Sequence, residues 1–223
     1  MTNIYSINEC DAFYDIDWTG SKETNYKDTI FITKTVPDKN TLEKLLNFTQ
    51  NPFIYITITG YGGTILEPDI PDWFNTLVQA EELKKATGFQ GLVIRINPII
   101  PTDKGIEKAL KVFQTAISKG FDKFNYEMLQ LTEETKEKFQ KNKLPMPPDI
   151  SKANPRTLLK FKDKINEWKQ NGIRIVSVFD IRDMRIPEEY RKKYKFDENK
   201  EKEKKTKPLP PTCGHRCLLC QKI

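Results

Sequence analysis

Phe53-Ile54-Tyr55-Ile56-Thr57-Ile58-Thr59 runs without a break into Gly60-Tyr61-Gly62-Gly63-Thr64. The first stretch is dense in β-branched and aromatic residues and predicts a strand over 53–59. The second predicts a turn at that strand's C-terminal end, because glycine alone adopts left-handed backbone angles at no steric cost. Asp72 then caps a predicted helix in which Trp73, Phe74, Leu77 and Val78 share one side. Strand, glycine turn and helix in succession form the unit from which parallel sheets are built.

The unit recurs in both directions. Upstream, 29–34 reads as a strand and 41–49 as a helix started by the Pro37-Asp38 turn, with a further short strand near 3–7. Downstream, 92–96 reads as a strand ended by Asn97-Pro98. Ile106, Ala109, Leu110, Phe113, Ala116 and Ile117 then form a helical stripe stopped by Gly120. The stretch 121–129 is strand-like. Pro145, Pro147 and Pro148 interrupt the chain, after which Leu158, Phe161, Ile165 and Trp168 mark a helix closed by Asn171-Gly172, and 173–179 reads as the last strand. The expectation is an α/β protein, a partial (β/α) TIM-like barrel of about six mostly parallel strands. A doubly wound sheet has the same alternation and stays open as an alternative. In either case the C-terminal strand ends are where chemistry is expected.

The chain has 223 residues, 37% hydrophobic, which suits one folded domain. No apolar run approaches the roughly 20 residues of a membrane helix, and 1–11 lacks the basic-then-apolar order of a signal peptide. A cytoplasmic protein with no membrane partner is expected. The formal charge of +6 is concentrated in 191–207, where nine lysines and arginines face four acids. That run reads as a solvated tether or as a nucleic-acid or acidic-lipid patch. The expected organisation is a barrel over 1–195, a charged and proline-rich linker over 196–211, and a cysteine loop over 212–223.

Three of the four cysteines, Cys213, Cys217 and Cys220, lie in that last segment with Cys-x3-Cys-x2-Cys spacing. Three thiolates on one loop suit an iron-sulfur cluster whose fourth iron has no protein ligand. Zinc is the alternative, with His215 or Cys10 as fourth ligand. Elsewhere, Gly60–Thr64 could present backbone N–H groups to an anion or be a turn only. Glu67 could bind an amine or hydroxyl, or cap the helix near Pro71. Arg95, on an otherwise apolar strand, is either a ligand for a carboxylate or a partner in an internal ion pair. Glu127 and Asp180 also fall near strand ends.

Several of these segments together resemble an uncharacterised bacterial family related to radical S-adenosylmethionine enzymes, whose cysteine motif is C-terminal. The matching residues are Ser6 to Tyr14 with Asp11, Ala12, Phe13 and Tyr14, Ile32-Thr33-Lys34, Ile58-Thr59-Gly60-Tyr61-Gly62 with Glu67-Pro68 and Pro71, Ile94 to Ile99, and the three terminal cysteines. Leu219 stands where that family has an aromatic residue, and Asn97 where it has an acid. The resemblance implies a 4Fe-4S cluster on Cys213, Cys217 and Cys220, with S-adenosylmethionine chelating the open iron. Contacts to that cofactor are expected from Gly62, Gly63, Glu67 and Arg95. It further implies a deoxyadenosyl radical that abstracts hydrogen from an unknown substrate, and a reductant protein to supply electrons. A distant relation to spore photoproduct lyase makes nucleic acid one substrate class. The competing expectation is a non-catalytic barrel with structural zinc, or with a degenerate cysteine site, acting as a binding module.

Overall fold

The computed structural model describes residues 4–7, 13, 28–48, 51–177 and 219. It is a mixed α/β structure in which a parallel sheet alternates with helices. The strands are β1 (Ile4–Ile7), β2 (Asp28–Thr33), β3 (Asn51–Thr57), β4 (Leu92–Ile99), β5 (Lys123–Met128) and β6 (Arg174–Ser177). The helices are α1 (Lys39–Phe48), α2 (Trp73–Thr87), α3 (Asp103–Ser118), α4 (Glu133–Lys141) and α5 (Pro155–Gln170). Sheet order follows chain order, β1-β2-β3-β4-β5-β6, and every neighbouring pair is parallel. A doubly wound sheet reverses its strand order at a switch point, and the described strands contain no such reversal.

Sequential order has a packing consequence. Right-handed crossovers that all step the same way deposit their helices on one side of the sheet. The core agrees: Phe31, Ile54, Ile56, Leu92, Ile94, Ile96, Phe124 and Ile175 share one buried cluster with residues of α1, α2, α3 and α5. Phe113 of α3 lies at its centre, with ring centroids 5.2 Å from Phe124, 5.4 Å from Trp168 and 6.3 Å from Phe161. Asp103, at the start of α3, accepts a hydrogen bond from Thr157 of α5 at 2.6 Å. Glu81 of α2 bridges to Lys119 at the end of α3 at 2.7 Å.

Three details differ from the sequence reading. The buried side of α2 is Thr76, Leu77, Ala80 and Leu83, whereas Phe74 is exposed and packs edge-on against Trp73. Strand β4 does not stop at Asn97-Pro98 but continues to Ile99, with a register shift against β5 between Ile96 and Ile99. Pro98 has no N–H to give the ladder, which accounts for an irregularity at that point. Helix α4 was not anticipated; Thr132 caps it, Glu133 and Glu134 fill its first turn, and Lys138 and Lys141 its last, a charge order that favours a helix. Among the described residues no helix is long and apolar enough to cross a membrane. The linker over 196–211 and the boundary at 195 lie outside the described residues.

Phe113→Ala empties the centre of the aromatic cluster and is expected to cost about 3–5 kcal/mol. Urea unfolding followed by tryptophan fluorescence checks this, and a loss below about 1 kcal/mol would contradict the central placement of the ring.

Candidate functional site

The sheet has a second face, and toward the C-terminal rim it is mostly polar. Register places Thr57, Arg95, Asn125 and Val176 side by side across β3 to β6. One step nearer the C-terminal rim come Thr59, Asn97 and Glu127. Thr57, Thr59, Arg95, Asn97, Asn125 and Glu127 are all buried. Parallel strands are ordinarily apolar on both faces, and buried polar groups are costly unless hydrogen-bonded. Here they bond to one another: Arg95 donates to Thr57 at 3.3 Å, Asn97 to Glu127 at 2.9 Å, and Asn125 to the Val176 carbonyl at 3.3 Å. Gln130 donates to the other Glu127 oxygen at 3.1 Å. The carboxylate of Glu127 is thus held by two neutral amides, with no ion pair among the described residues.

Glu67 is the keystone of the adjoining loop. Its carboxylate, almost wholly removed from solvent, takes the Lys34 ammonium on one oxygen and the Thr59 hydroxyl on the other. One side chain thereby ties the end of β2 and the end of β3 to the loop after it. The helix cap considered for Glu67 belongs instead to Asp72, which accepts from the N–H of Phe74 at 2.9 Å. Since Thr57 and Thr59 are two residues apart on one face, Arg95 and Glu67 engage points separated by about 7 Å along the strand.

The glycines serve this loop in different ways. Gly60 and Gly63 have φ of 84° and 74°, a region that L side chains rarely adopt. At Gly62 a Cβ would lie 2.0 Å from the Pro71 carbonyl oxygen, so glycine there lets the loop seat against the chain entering α2. The loop also uses its own donors. The N–H of Gly63 bonds to the Glu67 carbonyl at 3.0 Å, that of Thr64 to the Tyr61 carbonyl at 3.0 Å, and that of Tyr61 to the Thr59 hydroxyl at 3.1 Å. What Gly63 offers a ligand is therefore open backbone surface, exposed and unobstructed within 4 Å of where a side chain would start, rather than its N–H.

Leu219 is buried at the same rim. It is 0% exposed and clusters with Ile100, Leu129 and Phe139, with Tyr61, Leu66, Leu131 and Leu144 packed around them. Ile100 follows β4 directly, Leu129 follows β5, and Tyr61 and Leu66 belong to the glycine loop. Burying one leucine side chain contributes about 1.5–3 kcal/mol. Cys213, Cys217 and Cys220 lie outside the described residues, as do Cys10, His215, Asp180 and the basic run 191–207. No group of three metal-ligating side chains occurs among the described residues.

No family model matches the chain, and no curated protein or solved structure matches it. The site was therefore assembled from its residues. The structure brings Gly62, Gly63 and Glu67 together on one loop and sets Arg95 on the neighbouring strand face. Sequence reasoning did not identify Lys34, Thr57, Thr59 or Asn125. The period-two run of Tyr55 and Thr57 in β3, continued by Thr59 just beyond it, was the available signal for a polar face.

Glu67→Gln leaves the Lys34 ammonium buried without its counter-charge and is expected to cost about 3–5 kcal/mol, part of which Lys34→Met restores in the double variant. Denaturant unfolding of the three variants checks this. Tyr61 supplies a second readout, because burial and then the Glu67 carboxylate raise its pKa above the ordinary 10.0. Its neutral form is favoured in the folded state, so the stability it contributes is complete below pH 10 and declines as pH climbs through the raised value. Titration of tyrosinate absorbance, taken as the difference from Tyr61→Phe, should show the raised pKa falling in Glu67→Gln yet staying above 10.0, since burial is the larger cause.

Proposed function

We propose that this chain is a radical S-adenosylmethionine-type iron-sulfur protein built on a partial (β/α) barrel, acting on a substrate held over the C-terminal rim of the sheet. The observation that carries the reading is Leu219. Two residues from Cys217 and next to Cys220 in sequence, it is buried against the glycine loop and the loops after β4 and β5. That anchor supports bringing the cysteine segment to the rim that also holds Glu67 and Arg95.

The donor set suits the group. Cys213, Cys217 and Cys220 supply three thiolates, which leaves one iron of a four-iron cluster for a ligand other than protein. A reduced cluster there would supply the electron that cleaves S-adenosylmethionine to a deoxyadenosyl radical. The chain's own residues have separable tasks. Arg95 presents a fixed planar charge suited to a carboxylate, and Gly63 presents backbone surface without side-chain obstruction, while Gly62 seats the loop against Pro71. Glu67, engaged by Lys34 and Thr59, holds the loop in shape. Glu127 offers a fixed acceptor toward a hydroxyl or amine.

Anaerobic reconstitution with iron and sulfide tests the proposal. The expected result is a brown protein with about four irons per chain, bleached in Cys217→Ala, that releases deoxyadenosine from S-adenosylmethionine under reduction. In Arg95→Met the cluster should remain while S-adenosylmethionine binding weakens roughly tenfold or more. A colourless protein that takes up zinc instead would overturn the proposal in favour of a binding module.

A further inference from the structure

We infer that Leu219 is a positioning residue, an apolar peg whose insertion between the glycine loop, the loops after β4 and β5, and α4 fixes the terminal cysteine segment on the rim. It rests on the proposed function only for its purpose; the docking itself stands on geometry. The side chain is fully buried although it is remote in sequence from every residue around it. Its socket is assembled from separate elements: Tyr61 and Leu66 after β3, Ile100 after β4, Leu129 after β5, and Phe139 on α4. Parallel strands put all three of those strand ends on one edge, so a single side chain buried in the cluster they form is located in two directions across the rim.

The socket is held by polar contacts of its own. Tyr61 sits under the Lys108 ammonium, 4.9 Å from the ring centroid, and its loop is locked by Glu67. Thr132 caps the helix carrying Phe139, accepting from the N–H of Thr135 at 3.2 Å. A peg in a pre-shaped socket needs an apolar side chain of leucine's length. An aromatic ring at 219 is not required for this task. Burial among Ile100, Leu129 and Phe139 also commits Leu219 to its own protein, so a ligand's ring would find its flat partner elsewhere.

The test uses the full chain, metal-free and reduced, with Ile65→Cys and Lys222→Cys as spin-label sites and the native cysteines changed to serine. Ile65 is 63% exposed, so labelling there leaves the loop's packing intact. Pulsed dipolar spectroscopy should give one narrow distance distribution with Leu219 and with Leu219→Met. In Leu219→Asp the undocked population should rise roughly ten- to hundredfold and the distribution broaden, while the sheet still unfolds in one transition, its urea midpoint lowered by no more than the docking lost. In chains with native cysteines, Leu219→Asp should lose cluster yield on reconstitution and Leu219→Met should keep it. A distribution that is already broad with Leu219, or that ignores Leu219→Asp, overturns the peg whatever the iron content. A narrow distribution that broadens as expected, in a chain that never assembles a cluster, upholds the peg and removes the radical-enzyme reading.

Discussion

A parallel sheet whose core packs with α1, α2, α3 and α5 must find partners for whatever its other face carries, and toward the C-terminal rim of this protein that face carries buried polar groups. The ladder consumes backbone donors and acceptors but leaves the side chains of Thr57, Arg95, Asn97, Asn125 and Glu127 to be satisfied laterally. Their mutual hydrogen bonds do this across strands. An aliphatic face would pack with less constraint. A polar one persists when something besides stability depends on it, since buried polar groups have to be matched one by one.

Glu67 concentrates the same constraint at one point. A buried carboxylate with an ammonium and a hydroxyl on its two oxygens fixes the spacing of β2, β3 and the loop between β3 and α2. Such pairs contribute little net stability compared with an apolar replacement, because both charges leave water; what they enforce is geometry. The glycines around it serve that geometry as well, Gly62 by admitting the Pro71 carbonyl and Gly63 by turning the chain back toward the Glu67 carbonyl.

Much of the layout was legible in the residues. The apolar stripe of α3 and the β-branched runs of β3 and β4 have periods set by local geometry, so the alternation and the parallel sheet followed from them. Strand order did not, since helices of similar amphipathicity serve sequential and doubly wound sheets alike. The end of β4 was misjudged because Asn97-Pro98 usually closes a strand, whereas here pairing resumes at Ile99 with Met128. The buried side of α2 was misjudged because Trp73 and Phe74 are both large and apolar, yet Trp73 packs against the core while Phe74 stays outside with the Lys119 ammonium 5.3 Å from its ring. Gly62, Gly63, Glu67 and Arg95 stood out as residue types unusual for their positions. Lys34 did not, because a lysine ending a strand looks like any solvated one until its partner, 33 positions on, is known.

The leucine at 219 has a temporal side. A ribosome releases residues 61 to 144, which make its socket, long before it releases 219, so the receiving surface is complete while the sulfur-bearing end is still being synthesised. Leu219 is thus made after the residues that receive it, and its burial follows theirs.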